Sequence, residues 1–278
     1  MNRKEARTQF AEMISRDETS FELDRAALLI AAEEYPQLAI DTYLAKLDAF
    51  ARRAREQDDR DGEPFERILR VSDLLFNTLG FRGNREDYYD ARNSFLNDVI
   101  QRGKGIPITL SLILIEVARR IDLKLCGVGM PGHFLAKYDD DELEILIDPF
   151  NRGQLISREN CRELIKGMYG SQLSFQPSFL SALSKKQIIT RMLHNLKGIY
   201  ARTADHQKTL SVIERLLLID PTAAGEIRDR GLIFFSLERY EQARSDLEEY
   251  LRCAPDAADA KEIGMRLGEL RRRQARFN

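Results

Sequence analysis

The sequence predicts a helix-rich α+β core followed by an all-α array. Three observations carry that expectation. Apolar residues recur at helical spacing through the first hundred positions, short β-prone segments follow the most hydrophobic helix, and a 34-residue repeat lies near the C-terminus. A chain of 278 residues has room for two ordinary domains. We expect them at 1–180 and 184–278, the first divided into a helical part, 18–102, and a helix-plus-sheet part, 103–180.

Residues 21–34 form an Ala/Leu-rich helix that Tyr35-Pro36 ends. The next helix carries Ile40, Tyr43, Leu44, Leu47 and Phe50 on one face and runs into a charged tail at 52–60. Asp61-Gly62-Glu63-Pro64 is a start signal, because proline at the first helical position fixes φ where a missing N–H costs nothing. Phe65, Ile68, Leu69, Leu75 and Phe76 are the buried stripe of that helix, and Gly80 with Gly83-Asn84 breaks it. Tyr88, Phe95, Leu96, Val99 and Ile100 predict another short helix.

The texture changes after Gly103. Gly105-Ile106-Pro107 leads into the most apolar helix of the chain, 108–120. Segments 125–128, 133–138 and 143–148 read as strands, with Met130-Pro131-Gly132 and the acidic run 139–142 as turns. A buried helix laid on a small antiparallel sheet satisfies both patterns.

From Ser184 the chain reads as helix to its end. Pro221 and Pro255 stand 34 residues apart, and in that register Tyr200 matches Phe234, Ile213 matches Leu247 and Leu217 matches Leu251. Gly231, Phe234, Ala243, Leu247 and Pro255 have tetratricopeptide spacing, in which small residues allow close helix approach and proline ends the second helix. The preceding unit is degenerate, with Gly198 one place off and Thr209 where alanine is usual. Residues 257–272 are the expected capping helix over the last exposed face.

Composition narrows the function. The charges nearly cancel, 43 Lys+Arg against 45 Asp+Glu, which argues against a generally basic nucleic-acid binder. Three scattered cysteines, with no CxxC pair, suit a reducing compartment. Residues 1–17 are polar and charged with no apolar segment for secretion, and the apolar run 110–115 is far too short to span a bilayer. A cytoplasmic protein without membrane contact is expected.

One histidine stands in an informative place. His133 opens a predicted strand and Asp148 ends the next, fifteen residues on. Two antiparallel strands joined by the acidic turn can bring the side chains together at one sheet end. A carboxylate there would fix the imidazole tautomer, as in the His–Asp half of a Cys–His–Asp site. The same pair can equally be structural, a satisfied hydrogen bond with no further role.

The stretches GIPITLSLILIEVARRIDL, GVGMPGHFLAKY and IDPF, within 103–149, resemble the bacterial transglutaminase-like family commonly labelled SirB. RMLHNLKGIYARTADHQKTLSVIERLLLIDP resembles the tetratricopeptide tail of that family. The likeness implies a papain-like core fused to tetratricopeptide helices. In catalytic transglutaminase-like proteins the third site member is a cysteine at the start of the central helix, where the helix dipole and the histidine stabilise thiolate. Counting back from Ala118-Arg119-Arg120, the matching position falls at Pro107 or its neighbours Ile106 and Ile108, none of them a nucleophile. His133 and Asp148 match the other two members.

Substitute nucleophiles are few. Cys126 reads as a small buried hydrophobe or a relocated thiol, and Thr109 and Ser111 as helix-start hydroxyls that cap or attack. Cys161 and Cys253 lie in helical sequence and read as packing residues. No metal site is expected, since His194 and His206 belong to the repeats and no HxH or HExxH spacing occurs. Gly103-Lys104-Gly105 is too short for a phosphate loop, so no nucleotide or other cofactor is expected. Arg271-Arg272-Arg273 with Arg276 can contact RNA or an acidic partner, or simply complement the last helix turn.

These observations favour a non-catalytic interaction or regulatory module, a transglutaminase-like pseudoenzyme that presents its helical repeats to a peptide or protein partner. The alternative is an amidase, peptidase or acyl-transferase using His133–Asp148 with Cys126, Thr109 or Ser111.

Overall fold

The structure is a computed structural model that describes residues 2–58, 62–140 and 142–277, with side chains as far as Arg272. Asp61 of the start signal, Arg60 of the charged tail and Asp141 of the acidic run lie outside the described residues. So do the side chains of Arg273 and Arg276. Packing divides the chain into two compact units, Met1–Met192 and Leu193–Asn278.

The first unit opens with a helix that the sequence reading passed over. α1 (Arg3–Ser15) hides its apolar stripe among charges, yet Ala6, Phe10, Met13 and Ile14 are all buried. A reciprocal capping box starts it: the Glu5 N–H donates to Asn2 Oδ1, and the Asn2 N–H donates to Glu5 Oε2, both at 2.9 Å. α2 (Leu23–Glu34) and α3 (Ile40–Glu56) follow as expected, and α4 (Pro64–Ser72) begins on its proline. A π-helical stretch, Asp73–Thr78, continues it. β1 (Arg82–Gly83) pairs in parallel with β2 (Lys104–Gly105), and between them lies α5 (Leu96–Arg102). Tyr88 falls outside α5, in a loop.

α6 (Pro107–Arg120) is the central helix, buried continuously from Pro107 to Ala118. Its last turn carries Arg119 and Arg120, which favour the negative end of the helix dipole. Arg120 reaches Asp24, Asp48 and the buried Glu116, so the cationic helix end is matched by carboxylates of three helices.

A five-stranded antiparallel sheet packs beside α6, in the order β6-β5-β4-β3-β7. Its strands are β3 (Cys126–Val128), β4 (Leu135–Asp139), β5 (Glu144–Asp148), β6 (Gln154–Ile156) and β7 (Ala182–Leu183). β6 and β7 are too short for alternation to announce them. α7 (Arg158–Tyr169) lies on one face, where Cys161 and Ile165 pack with Val128, Leu135 and Leu146. Side chains alternate along a strand, so Ala136, Ile145 and Ile147 serve the opposite face, toward α6.

α8 (Lys185–Arg202) runs through the division between the units. In the second unit, α9 (His206–Ile219), α10 (Ala224–Ser236), α11 (Tyr240–Cys253) and α12 (Ala260–Phe277) share one apolar core around Ile213, Phe234, Leu247 and Leu267. Gly231 permits close approach of α10 and α11: a Cβ there would meet Leu247 Cδ2 at 2.8 Å.

Candidate functional site

The turn at 130–133 and the end of β5 build the site. The His133 N–H donates to the Met130 carbonyl at 3.2 Å and closes a turn, so β4 starts only at Leu135. His133 therefore precedes the strand instead of opening it. Asp148 ends β5 and caps the short 3-10 turn Pro149–Asn151, its Oδ1 accepting from the Phe150 and Asn151 N–H groups at 3.1 and 3.2 Å. Its Oδ2 accepts from Asn151 Nδ2 at 2.7 Å and lies 2.9 Å from His133 Nε2.

The structure thus brings His133 and Asp148 together, with side-chain exposures of 11% and 1%. Burial pushes the Asp148 carboxyl upward, but the hydrogen bond and charge of His133, with the Asn151 donors, win and hold it below the ordinary aspartate range. When the ring is neutral, an ionised Asp148 keeps the imidazole proton on Nε2. Nδ1 is then the acceptor, and it has no hydrogen-bond partner among the described residues.

Close backbone approach seats this pair beside the start of α6. Gly83 pairs with Gly105, two residues before Pro107, and a Cβ on Gly83 would lie 2.6 Å from the Phe150 ring. Phe150 in turn stands edge-to-face with His133, ring centroids 6.3 Å apart. Tyr88 meets Phe150 edge-to-face at 5.9 Å and Tyr89 meets Tyr88 at 5.3 Å, which extends the aromatic row outward. Buried Asn93 anchors the loop that carries both tyrosines. Its Nδ2 donates to the Asp87 and Tyr88 carbonyls at 2.7 and 3.2 Å, and its own carbonyl accepts from Thr109 Oγ1 at 2.8 Å.

Each proposed nucleophile has a definite position. Thr109 Oγ1 caps the helix: it accepts from the Ile106 N–H at 3.2 Å and donates to Asn93 O. Ser111 is fully buried, and its Oγ has no hydrogen-bond partner among the described residues, so it is not joined to the His133 ring. Cys126 pairs with Lys137, whereas Val128 pairs with Leu135 at the His133 end of the hairpin, roughly 7 Å along the strand. The Cys126 Sγ donates to the Lys137 carbonyl at 3.4 Å, and burial raises its pKa, the reverse of thiolate activation. Cys161 packs under the sheet, and burial pushes it up to about 11.

Cys253, read from sequence as a packing residue, is exposed, its thiol 3.3 Å from Glu249 Oε1. That position ends α11, where helical period alone does not separate the buried from the open side. No group of three or more His, Cys, Asp or Glu side chains suited to a metal occurs among the described residues. No described helix is long and apolar enough to cross a membrane. Of the C-terminal arginines, Arg271 pairs with Glu248 at 3.0 Å.

Four site residues escaped the sequence reading: Asn93, Asn151, Phe150 and Arg191. Arg191, on α8, donates through Nη2 to the Met130 and His133 carbonyls, the latter at 2.6 Å, and so braces the turn that presents the imidazole. IDPF, singled out as a motif, was the one available signal, since it contains Phe150 beside the capping aspartate. Arg191 sits 58 residues from His133 with no local pattern to mark it.

Comparison with known proteins agrees with this architecture. Residues 41–194 match the transglutaminase-like superfamily, and residues 196–268 match the tetratricopeptide repeat. A UPF0162 protein of Xylella fastidiosa is 35% identical over 242 residues, covering 86% of each chain. A UPF0162 protein of Pseudomonas aeruginosa is 30% identical, over 89% of this chain and 90% of its own. Protein SirB1 of Salmonella typhimurium is 26% identical, over 91% of this chain and 96% of its own.

Proposed function

Because this chain belongs to the transglutaminase-like superfamily but begins its central helix with proline, we propose that it is a non-catalytic interaction or regulatory module. One observation carries the reading. At the helix start where catalytic relatives place a thiol, Pro107 occupies the first turn and the nearest hydroxyl, Thr109, is spent on capping. The His133–Asp148 pair then acts as a latch that joins the 130–133 turn to the end of β5. The tetratricopeptide helices present the surface for a protein or peptide partner, a use that small-residue helix packing and a capping helix support.

The rival reading is an amidase, peptidase or acyl-transferase that uses His133 and Asp148 with a relocated nucleophile. The unbonded Nδ1 of His133 favours it, since that nitrogen is the one a general base would use. Among the described residues it lacks an activated nucleophile, because Cys126 is shifted toward thiol and the buried Ser111 Oγ makes no hydrogen bond to the ring.

Profiling the intact protein with iodoacetamide and a fluorophosphonate separates the two. We expect iodoacetamide to modify exposed Cys253 more slowly than a free thiol, because its hydrogen bond to Glu249 raises the thiol pKa, with a rate unchanged in His133→Ala, and the fluorophosphonate to label no residue. A serine, threonine or cysteine whose labelling collapses in a folded His133→Ala variant would establish the enzyme reading instead.

A further inference from the structure

One strip of α12 is open. Lys261, Gly264, Met265, Gly268 and Arg272 fall within about 100° of the helix circumference, and the buried Ile263, Leu267 and Leu270 lie on the opposite side. Met265 is 62% exposed, the most open of the large apolar side chains described. A Cβ on Gly264 or Gly268 would meet nothing within 4 Å, so another helix can come close to the backbone there. Arg266 pairs with Glu262 and Arg271 with Glu248, whereas Lys261 and Arg272 make no ion pair among the described residues. The repeat register identifies this strip. Shifted by 34 residues, Ile227, Arg230, Gly231 and Phe234 of α10 fall on Lys261, Gly264, Met265 and Gly268. In α10 those four positions receive α11: Gly231 lies against Leu247, Arg230 pairs with Asp246, and Ile227 and Phe234 share a core with Leu247. α12 thus presents the receiving side of the repeat, and no described helix covers it.

We propose that this face of α12 docks an acidic amphipathic helix of a partner protein, which stands where the second helix of a further repeat would. This deepens the reading of the tetratricopeptide helices as a partner surface and rests on it. The charges select the occupant. Lys261 and Arg272 are eleven residues apart, about 16 Å along the axis, and both are exposed on the same side as Met265. A partner helix with two carboxylates at that separation and an apolar residue between them sets anion against cation at both ends. The unbranched thioether of Met265 adapts to the apolar residue, and the glycines let the two helix axes draw near. A second copy of this chain is a poor match, because two such strips, parallel or antiparallel, set cation against cation. Nucleic acid is a poor match as well. Two cations about 16 Å apart, with Glu262 and Glu269 beside them, make no track for successive phosphates.

The test titrates the full-length protein with a fluorescent helical peptide of about 18 residues, read by anisotropy. It carries two glutamates eleven residues apart, leucines between them on the same face, and alanine and glutamine elsewhere. A peptide with glutamine for both glutamates and one interrupted by proline are the comparisons, with oligothymidylate as the polyanion. The glutamate peptide is expected to bind saturably, about fivefold more tightly than the glutamine peptide and at least about tenfold more tightly than the proline one. Lys261→Gln combined with Arg272→Gln should erase the preference for glutamate, and Met265→Lys should weaken both helical peptides about tenfold. All three positions are exposed, so these variants keep the fold, which their thermal midpoints check. Met265→Lys adds positive charge, so unchanged or tighter binding of the glutamate peptide to it means attraction without an apolar seat and overturns the inference. Equal affinity for the glutamate and glutamine peptides, equal affinity for the proline peptide, or no saturation by about 1 mM overturns it as well. Dimerisation lost in Met265→Lys does so by assigning the face to a second copy, and oligothymidylate binding lost in the double variant does so by assigning it to nucleic acid. Electrophile labelling that depends on His133 would refute the non-catalytic reading and leave this docking face standing. Failure of the glutamate peptide refutes the docking face alone.

Discussion

Asp148 makes more hydrogen bonds than a catalytic orienter requires. It caps a turn through one oxygen and holds Asn151 and His133 through the other. Its carboxyl is held below the usual range, so it binds its proton less tightly in the folded state than in the unfolded one. The stabilisation is therefore complete above the unfolded value, about pH 4, and disappears as pH falls through the lower folded value. Asp148→Asn should cost about 1–3 kcal/mol at pH 7 and much less at pH 3, measured by urea unfolding at each pH. An equal loss at both pH values would show that the charge contributes nothing. Thr109 gives a second prediction at this scale. Thr109→Val leaves the Ile106 N–H and Asn93 carbonyl unpaired in a buried place and should cost about 1–3 kcal/mol, whereas Thr109→Ser should stay within about 1 kcal/mol of wild type. A valine variant as stable as the serine one would mean that the hydroxyl is not the cap.

Helices in the second unit obey two opposite rules for glycine. Gly198, within α8, faces open space, and Gly231, within α10, lies against Leu247 and Asp246 of α11. Alanine is the better helix former by about 1 kcal/mol, so Gly198→Ala should raise stability by up to that amount. At Gly231 the added methyl would overlap Leu247 and the Asp246 Cβ, and overpacking of this kind costs about 1–3 kcal/mol. Gly231→Ala is expected to lower the thermal midpoint while Gly198→Ala raises it. Midpoints moving in the same direction would remove close packing as the reason for glycine at 231. Arg230 reinforces the contact with a two-pronged ion pair to Asp246, at 2.7 and 2.8 Å.

For the molecule as a whole, the division at Met192 assigns the first half of α8 to the sheet-bearing unit. Lys185 Nζ donates to the Glu18 and Phe21 carbonyls, Ile188 packs near Gly127 and Phe134, and Arg191 braces the His133 turn. A chain of residues 1–202 should therefore unfold cooperatively. One of residues 1–183 should be less stable by at least about 2 kcal/mol, as loss of a single buried isoleucine already implies. Urea titrations of both chains check this, and equal midpoints would show that α8 contributes nothing to the first unit.

The sequence by itself determined the helix-rich α+β class, the buried central helix, the three core strands, the repeat register and the proximity of His133 to Asp148. Each rests on local pattern: helical spacing, a turn of defined length, or a period of 34 residues. Tertiary structure alone decided which groups meet. It seated Phe150 on Gly83, closed the sheet with β6 and β7, spent Thr109 on a cap, left Cys253 in solvent and brought Arg191 to the His133 turn. It also revealed α1, whose stripe of four apolar residues is diluted by charge and becomes legible only through burial. These outcomes depend on contacts between residues far apart in the chain, and such contacts leave no periodic trace in either partner's neighbourhood.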